Sequence, residues 1–308
     1  MKRGLLVISA AVLLAASPRA MNAQLWTYPE TLLGTPRAFE RARGDSVELL
    51  SWSAFSGEAS GFIGNEDETH RWCASVGGSV ELLGGARWNL VFESAISLIA
   101  DPGNNIGFNP RALFWEEGIL FGLRNGADVW QFGLQHRCKH DIDNIELLRV
   151  TGREEERALI YSSLVARWSR DAFIWSGVDI EPMAELHGYV FVQDQRFPVS
   201  TRELLPGVED NLGAARLRIE ASVPLLLRIR AGILLDARST VRMEHHRSTE
   251  DADLAVLIDV VAVELYIEAQ GQAAGLRGFL RYARLSDTYI PPFPSGASLV
   301  SLGFRIGS

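Results

Sequence analysis

The chain has 308 residues, of which 47% are apolar and 22% charged, with a net charge of −8. That balance excludes a disordered or collagen-like chain and speaks against a nucleic-acid binder, which needs a basic footprint. Two cysteines exclude a disulfide scaffold and a four-cysteine zinc site.

At the start, Lys2 and Arg3 lead into an apolar run over residues 5–16, followed by Ser17, Pro18 and small residues up to Ala23. A basic start, a short apolar core and a small-residue region predict a secretory signal over 1–23. The core is too short to span a bilayer as a helix. Residues 24–45 read as a periplasmic lead-in and 46–308 as a single domain. No later segment has the continuous apolar length of a transmembrane helix.

Beyond the lead-in the pattern has period two. Alternating segments fall at about 46–56, 70–83, 86–99, 112–124, 127–140, 157–168, 173–190, 211–223, 227–238, 253–269, 273–285 and 297–306. In 214–223, Ala215, Leu217, Ile219, Ala221 and Val223 share one face, and Arg216, Arg218, Glu220 and Ser222 the other. In 86–98, Trp88, Leu90, Phe92, Ile96 and Leu98 oppose Arg87, Asn89, Glu93 and Ser97. The phase slips near Val260 and Val261, which predicts a bulge.

The connections alternate in length. Short turns are expected at Gly84-Gly85, at Asn125-Gly126, around Arg170 and at Pro224. Long polar loops are expected over 57–69, 100–111, 141–156, 191–210, 239–252 and 286–296. Twelve strands joined alternately by short turns and long loops predict an all-β fold, a 12-stranded antiparallel transmembrane β-barrel of the Gram-negative outer membrane. Its expected partners are outer-membrane lipids and the barrel-insertion machinery, with no nucleic acid. A soluble exported sandwich is the competing architecture.

The fifth strand carries the residues with the most chemistry. Parity puts Trp130, Phe132, Leu134, His136, Cys138 and His140 on one face, which the apolar residues mark as the lipid face. Gln131, Gln135, Arg137 and Lys139 take the other. With Asn125-Gly126 as a two-residue loop, Glu117 faces Leu134 and lies diagonal to His136. Cys138, His136 and Glu117 then form a candidate nucleophile, base and orienter. A one-residue slip would send Glu117 to the lumen. The same three-residue face, His136, Cys138 and His140, is a metal-site alternative, with no evident fourth ligand. A His-x-Cys-x-His on a strand is more often interfacial decoration without chemistry than a catalytic or metal site. Cys73 alternates with Trp72 and Ala74 and should face the lumen, so a Cys73–Cys138 disulfide is disfavoured by opposite faces.

His136-Arg137-Cys138 resembles the outward-facing His-x-Ser of outer-membrane phospholipase A and lipid A 3-O-deacylase, with Cys in place of Ser. The stretch from His136 to Asp143 is also similar to a His-x-Ser-x-His landmark of an uncharacterised outer-membrane barrel family, as is Leu33-Gly34-Thr35-Pro36-Arg37 to that family's start. The resemblance covers about a dozen residues. It implies hydrolysis of acyl esters of outer-leaflet lipid, with calcium as a cofactor in that case and none otherwise. The phospholipase keeps a third residue on the next strand. The matching region here holds Glu154, Glu155, Glu156 and Ser162, without a clean match.

The remaining charges suggest a filled lumen. Arg216, Arg218, Arg228, Arg230, Arg277 and Arg281 are expected on the inner wall, opposed by Glu93, Asp179, Glu181, Glu185, Glu264 and Glu268. Pairing among them would plug the barrel; a charged path for a small solute is the alternative. His245-His246, with Glu244 and Glu250, reads as a polar loop feature. The sequence thus predicts an integral outer-membrane barrel of unassigned activity, with an acyl hydrolase and a small-solute channel as alternatives.

Overall fold

The computed structural model describes residues 47–50, 53–63, 72–101, 109–141, 156–197, 211–226, 228–245, 252–271, 274–285 and 297–307. The expected signal, the lead-in over 24–45, His246 and Glu250 lie outside them.

The described chain is all strand. The elements are β1 (Glu48–Leu49), β2 (Ser53–Ile63), β3 (Trp72–Gly84), β4 (Trp88–Asp101), β5 (Asn109–Asn125), β6 (Asp128–Asp141) and β7 (Glu156–Arg170). They continue with β8 (Phe173–Trp175), β9 (Val178–Phe197), β10 (Asn211–Leu226), β11 (Ile229–His245), β12 (Ala252–Gln270), β13 (Gly275–Leu285) and β14 (Ala297–Gly307). Twelve of these pair antiparallel with their chain neighbours, and β14 returns to β2, closing the sheet. The short β1 pairs with β3, and β8 folds back on β9 as a hairpin. Closure removes every edge between the twelve long strands, so their backbone groups find partners without water.

The two faces have opposite chemistry. Leu134, Leu164, Leu186, Leu217, Leu265 and Leu302 point outward and are more than half exposed. Glu93, Gln131, Arg167, Glu185 and Glu264 point inward and are at most 2% exposed. An apolar outer belt around a polar interior is the reverse of a soluble barrel and defines a bacterial outer-membrane barrel. Trp130 packs against Trp168 with ring centroids 6.5 Å apart, and Trp88 against Phe121 at 6.2 Å. This aromatic cluster marks one membrane interface, at the short-turn end.

Local chemistry sets the turns. Between Asn125 and Asp128 the two central residues are Gly126, at φ 61°, and Ala127. Glycine therefore stands first in the turn, as in a type II′ hairpin, and not second as the Asn-Gly reading has it. The consequence is a register shift of two residues, which leaves both faces unchanged. The β8–β9 hairpin turns at Ser176 and Gly177, both at positive φ. Pro224 is not a turn residue: it lies within β10 opposite Arg230, beside a register irregularity. Proline tolerates that position because a bulge spares the missing N–H.

Three expectations are corrected by these bounds. The first long strand is 53–63, not 46–56, so much of the expected 57–69 loop is strand. Its outward residues Gly57, Ala59 and Gly61 are too small to give an apolar signal. β9 and β11 run on to Phe197 and His245, beyond the expected ends. His245 therefore closes β11 opposite Ala252. The bulge expected near Val260 is present: Arg238 pairs with Val260 and Ser239 with Ile258, leaving Asp259 out of register.

Candidate functional site

On the inner wall, Arg167 gathers two carboxylates. Its Nε donates to Glu185 Oε2 at 2.6 Å and its Nη1 to Glu93 Oε2 at 3.2 Å. Gln135 and Arg137 both donate to Glu116, each at 2.5 Å. A second network joins β2, β10, β12, β13 and β14. Arg281 donates to Glu58 at 2.9 Å and to Glu264 at 2.7 Å, while Arg277 donates to Glu220 at 2.6 Å and to Glu268 at 2.5 Å. Arg216 pairs with Asp236, and Arg230 with Asp179. The expected lumenal pairing is therefore extensive. Arg228 is the exception among the named arginines: it sits exposed in the β10–β11 turn.

The inner wall also holds a Ser–His–Glu chain. Ser163 Oγ lies 3.1 Å from His187 Nδ1, and His187 Nε2 lies 2.7 Å from Glu185 Oε1. All three are buried, with at most 6% exposure. Enclosed on the inner wall beside the Arg167 pairs, they have no contact with bilayer lipid and brace the lumen.

The outer wall carries a different arrangement. Glu117 on β5 is the direct cross-strand partner of His136 on β6, and Ser162 on β7 is the partner of His136 on its other side. This corrects the diagonal placement of Glu117 and follows from the shifted Gly126 turn. The row stays outward, in phase with Trp115, Ile119 and Leu134, all of them exposed. His136 Nδ1 and Ser162 Oγ are 3.0 Å apart, a hydrogen bond that leaves Nε2 on the other side of the ring.

Cys138 shares this face two residues further on, paired with Trp115 and Ile160. Both cysteines are free, and Cys73 faces inward, with its sulfur 3.1 Å from Ser60 Oγ. His140 pairs with Leu113 and Ala158; its side chain lies outside the described residues. Among the described residues no three His, Cys, Asp or Glu side chains converge as metal ligands. No step below is routed through an ion.

The row has a definite depth. From Trp130 to His136 the strand rises about 20 Å, or about 15 Å along the membrane normal at a tilt of about 40°. In an apolar band about 25 Å tall, that is the half toward the long connections, the outer leaflet. Ser162 was missed as a partner because no short turn signal links β6 to β7 in the sequence and fixes their register. The alternation of Ile160, Ser162 and Leu164 shows only that it faces outward.

No protein-family model matches the chain, and no curated protein matches it. Among solved structures, LpxR from Salmonella typhimurium is similar, with 9% identity over 82% of this chain and 99% of that one, at a TM-score of 0.41. The transport unit of the autotransporter AIDA-I from Escherichia coli matches at 10% identity over 90% and 92%, with a TM-score of 0.40. The toluene transporter TodX of Pseudomonas putida matches at 7% identity over 83% and 89%, with a TM-score of 0.37. Likenesses at this level carry no argument about activity.

Proposed function

We propose that this outer-membrane barrel is an acyl hydrolase acting from its outer wall on ester-linked lipid of the outer leaflet. The observation that carries the reading is the Glu117–His136–Ser162 row, with its 3.0 Å His–Ser contact, on the lipid-facing surface. Polar and ionisable groups on that face cost stability in a depth-dependent way, and ionisable groups at membrane depth mark function by default. In this reading His136 is the general base, and Glu117 is the positioning residue that stabilises the imidazolium as it forms. The nucleophile is one of two groups on the same face, the Ser162 hydroxyl or the Cys138 thiol. The lumen takes no part beyond holding the wall rigid.

Acyl release from phospholipid and from lipopolysaccharide by the refolded protein in detergent tests this reading, beside His136→Ala. Release that disappears in the folded variant supports it. Wild-type protein that releases nothing, with its thiols reduced and calcium supplied, overturns it.

A further inference from the structure

We infer that Ser162 is the nucleophile of this site and that the expected Cys138 is not. The inference rests on the hydrolase reading above and deepens it. Three observations on the outer wall carry it.

The first is contact. His136 Nδ1 lies 3.0 Å from Ser162 Oγ, whereas Cys138 is paired with Trp115 and Ile160, one step further along the strands. A base must be within hydrogen-bond reach of the proton it takes. The second is order. Glu117, His136 and Ser162 stand directly opposite one another on three adjacent strands, so acid, base and hydroxyl lie in one line. Cys138 is displaced from that line by two residues along β6.

The third is a bulge in the wall beside the serine. Ser162 pairs with Phe191 and Ser163 with Tyr189, so Val190 is left out of the β7–β9 ladder. Among the described residues the β9–β10 register ends at Gly188. Val190 and Phe191 are consecutive and both exposed. Bulges concentrate beside active sites, where they re-aim a side chain.

The step balances without an added reactant. Ser162 Oγ gives its proton to His136 Nδ1 and forms a bond to the ester carbonyl carbon. The ester C–O bond breaks, and the imidazolium returns the proton to the departing alcohol. Water, deprotonated by the same ring, then attacks the acyl-serine; the ester bond between the acyl carbon and Ser162 Oγ breaks, the imidazolium returns its proton to Oγ, and the fatty acid is freed.

The test is covalent labelling of the refolded full chain with a long-chain alkyl fluorophosphonate, followed by mass mapping of the adduct, beside acyl release by Ser162→Ala. The expected result is an adduct on Ser162. Ser162→Ala should lose the label and at least about 10³-fold of the acyl release, with heat-modifiable gel migration showing that it still folds. Ser162→Cys serves as a second variant: restored release that becomes sensitive to alkylation supports the assignment. An adduct on Cys138, or a Ser162→Ala protein that hydrolyses like wild type, overturns the assignment while leaving the hydrolase reading standing. Wild-type protein that neither hydrolyses nor labels overturns both.

Discussion

Arg167 on β7 and Glu93 on β4 meet at 3.2 Å although β5 and β6 lie between their strands. The contact therefore reaches over two strands of the inner wall, with Gln131 and Gln135 of β6 in the same network. Arg167 also holds Glu185, so its removal takes away the cation shared by two carboxylates that are at most 2% exposed. Removing one partner of a buried ion pair costs about 3–5 kcal/mol. Arg167→Ala should unfold at clearly lower urea than wild type, read as loss of the heat-modified gel shift. The wild-type barrel, braced in this way, should pass no single-channel current above baseline in planar bilayers.

Gly133 faces the lumen so close to β5 that a Cβ there would lie 2.0 Å from the Ile119 carbonyl oxygen. The obstacle is backbone, which cannot swing aside. Gly133→Ala should reduce the folded fraction on refolding. Gly188→Ala, where a Cβ meets nothing within 4 Å, should fold like wild type.

The two thiols should differ in reactivity because they lie on opposite faces. Cys73 is enclosed with Phe62 and Phe114 on the inner wall, whereas Cys138 is half-buried on the lipid face. A lipid-soluble maleimide should modify Cys138 in the folded barrel and reach Cys73 only after unfolding. Oxidation should not join them, so migration on a non-reducing gel should stay that of the reduced protein.

The fold was legible because a barrel wall writes its inside and outside into alternate residues. Leu217 and Arg216, or Leu134 and Gln135, declare their faces by chemistry alone. The same logic exposed the bulge at Asp259, where a phase slip in 253–269 has no other cause. Legibility failed where that contrast was missing, as in Gly57, Ala59 and Gly61 of β2. The site was half legible. The outward placement of Glu117, His136 and Cys138 came from parity. The direct Glu117–His136 pairing depended on which residue leads the Gly126 turn. The His136–Ser162 contact depended on the β6–β7 register, and no local pattern encodes that.

Glu117 is argued to act through His136 and not on substrate. Glu117→Gln keeps the size and removes the charge. It should lower kcat at least about tenfold and leave KM close to wild type, because only stabilisation of the imidazolium is lost. Glu117→Asp should recover part of kcat. A rise in KM with kcat unchanged would instead mean that Glu117 contacts the lipid.

The wall holds two Ser–His pairs back to back: Ser162 with His136 outside, and Ser163 with His187 inside. The central claim is that chemistry belongs to the outer pair and bracing to the inner. Acyl release measured per folded molecule for His136→Ala and His187→Ala separates the two. The account predicts that His136→Ala folds but releases no acyl chain, while His187→Ala is less stable yet releases acyl chains at close to the wild-type rate. Full release by His136→Ala, or its loss in a folded His187→Ala, would contradict it.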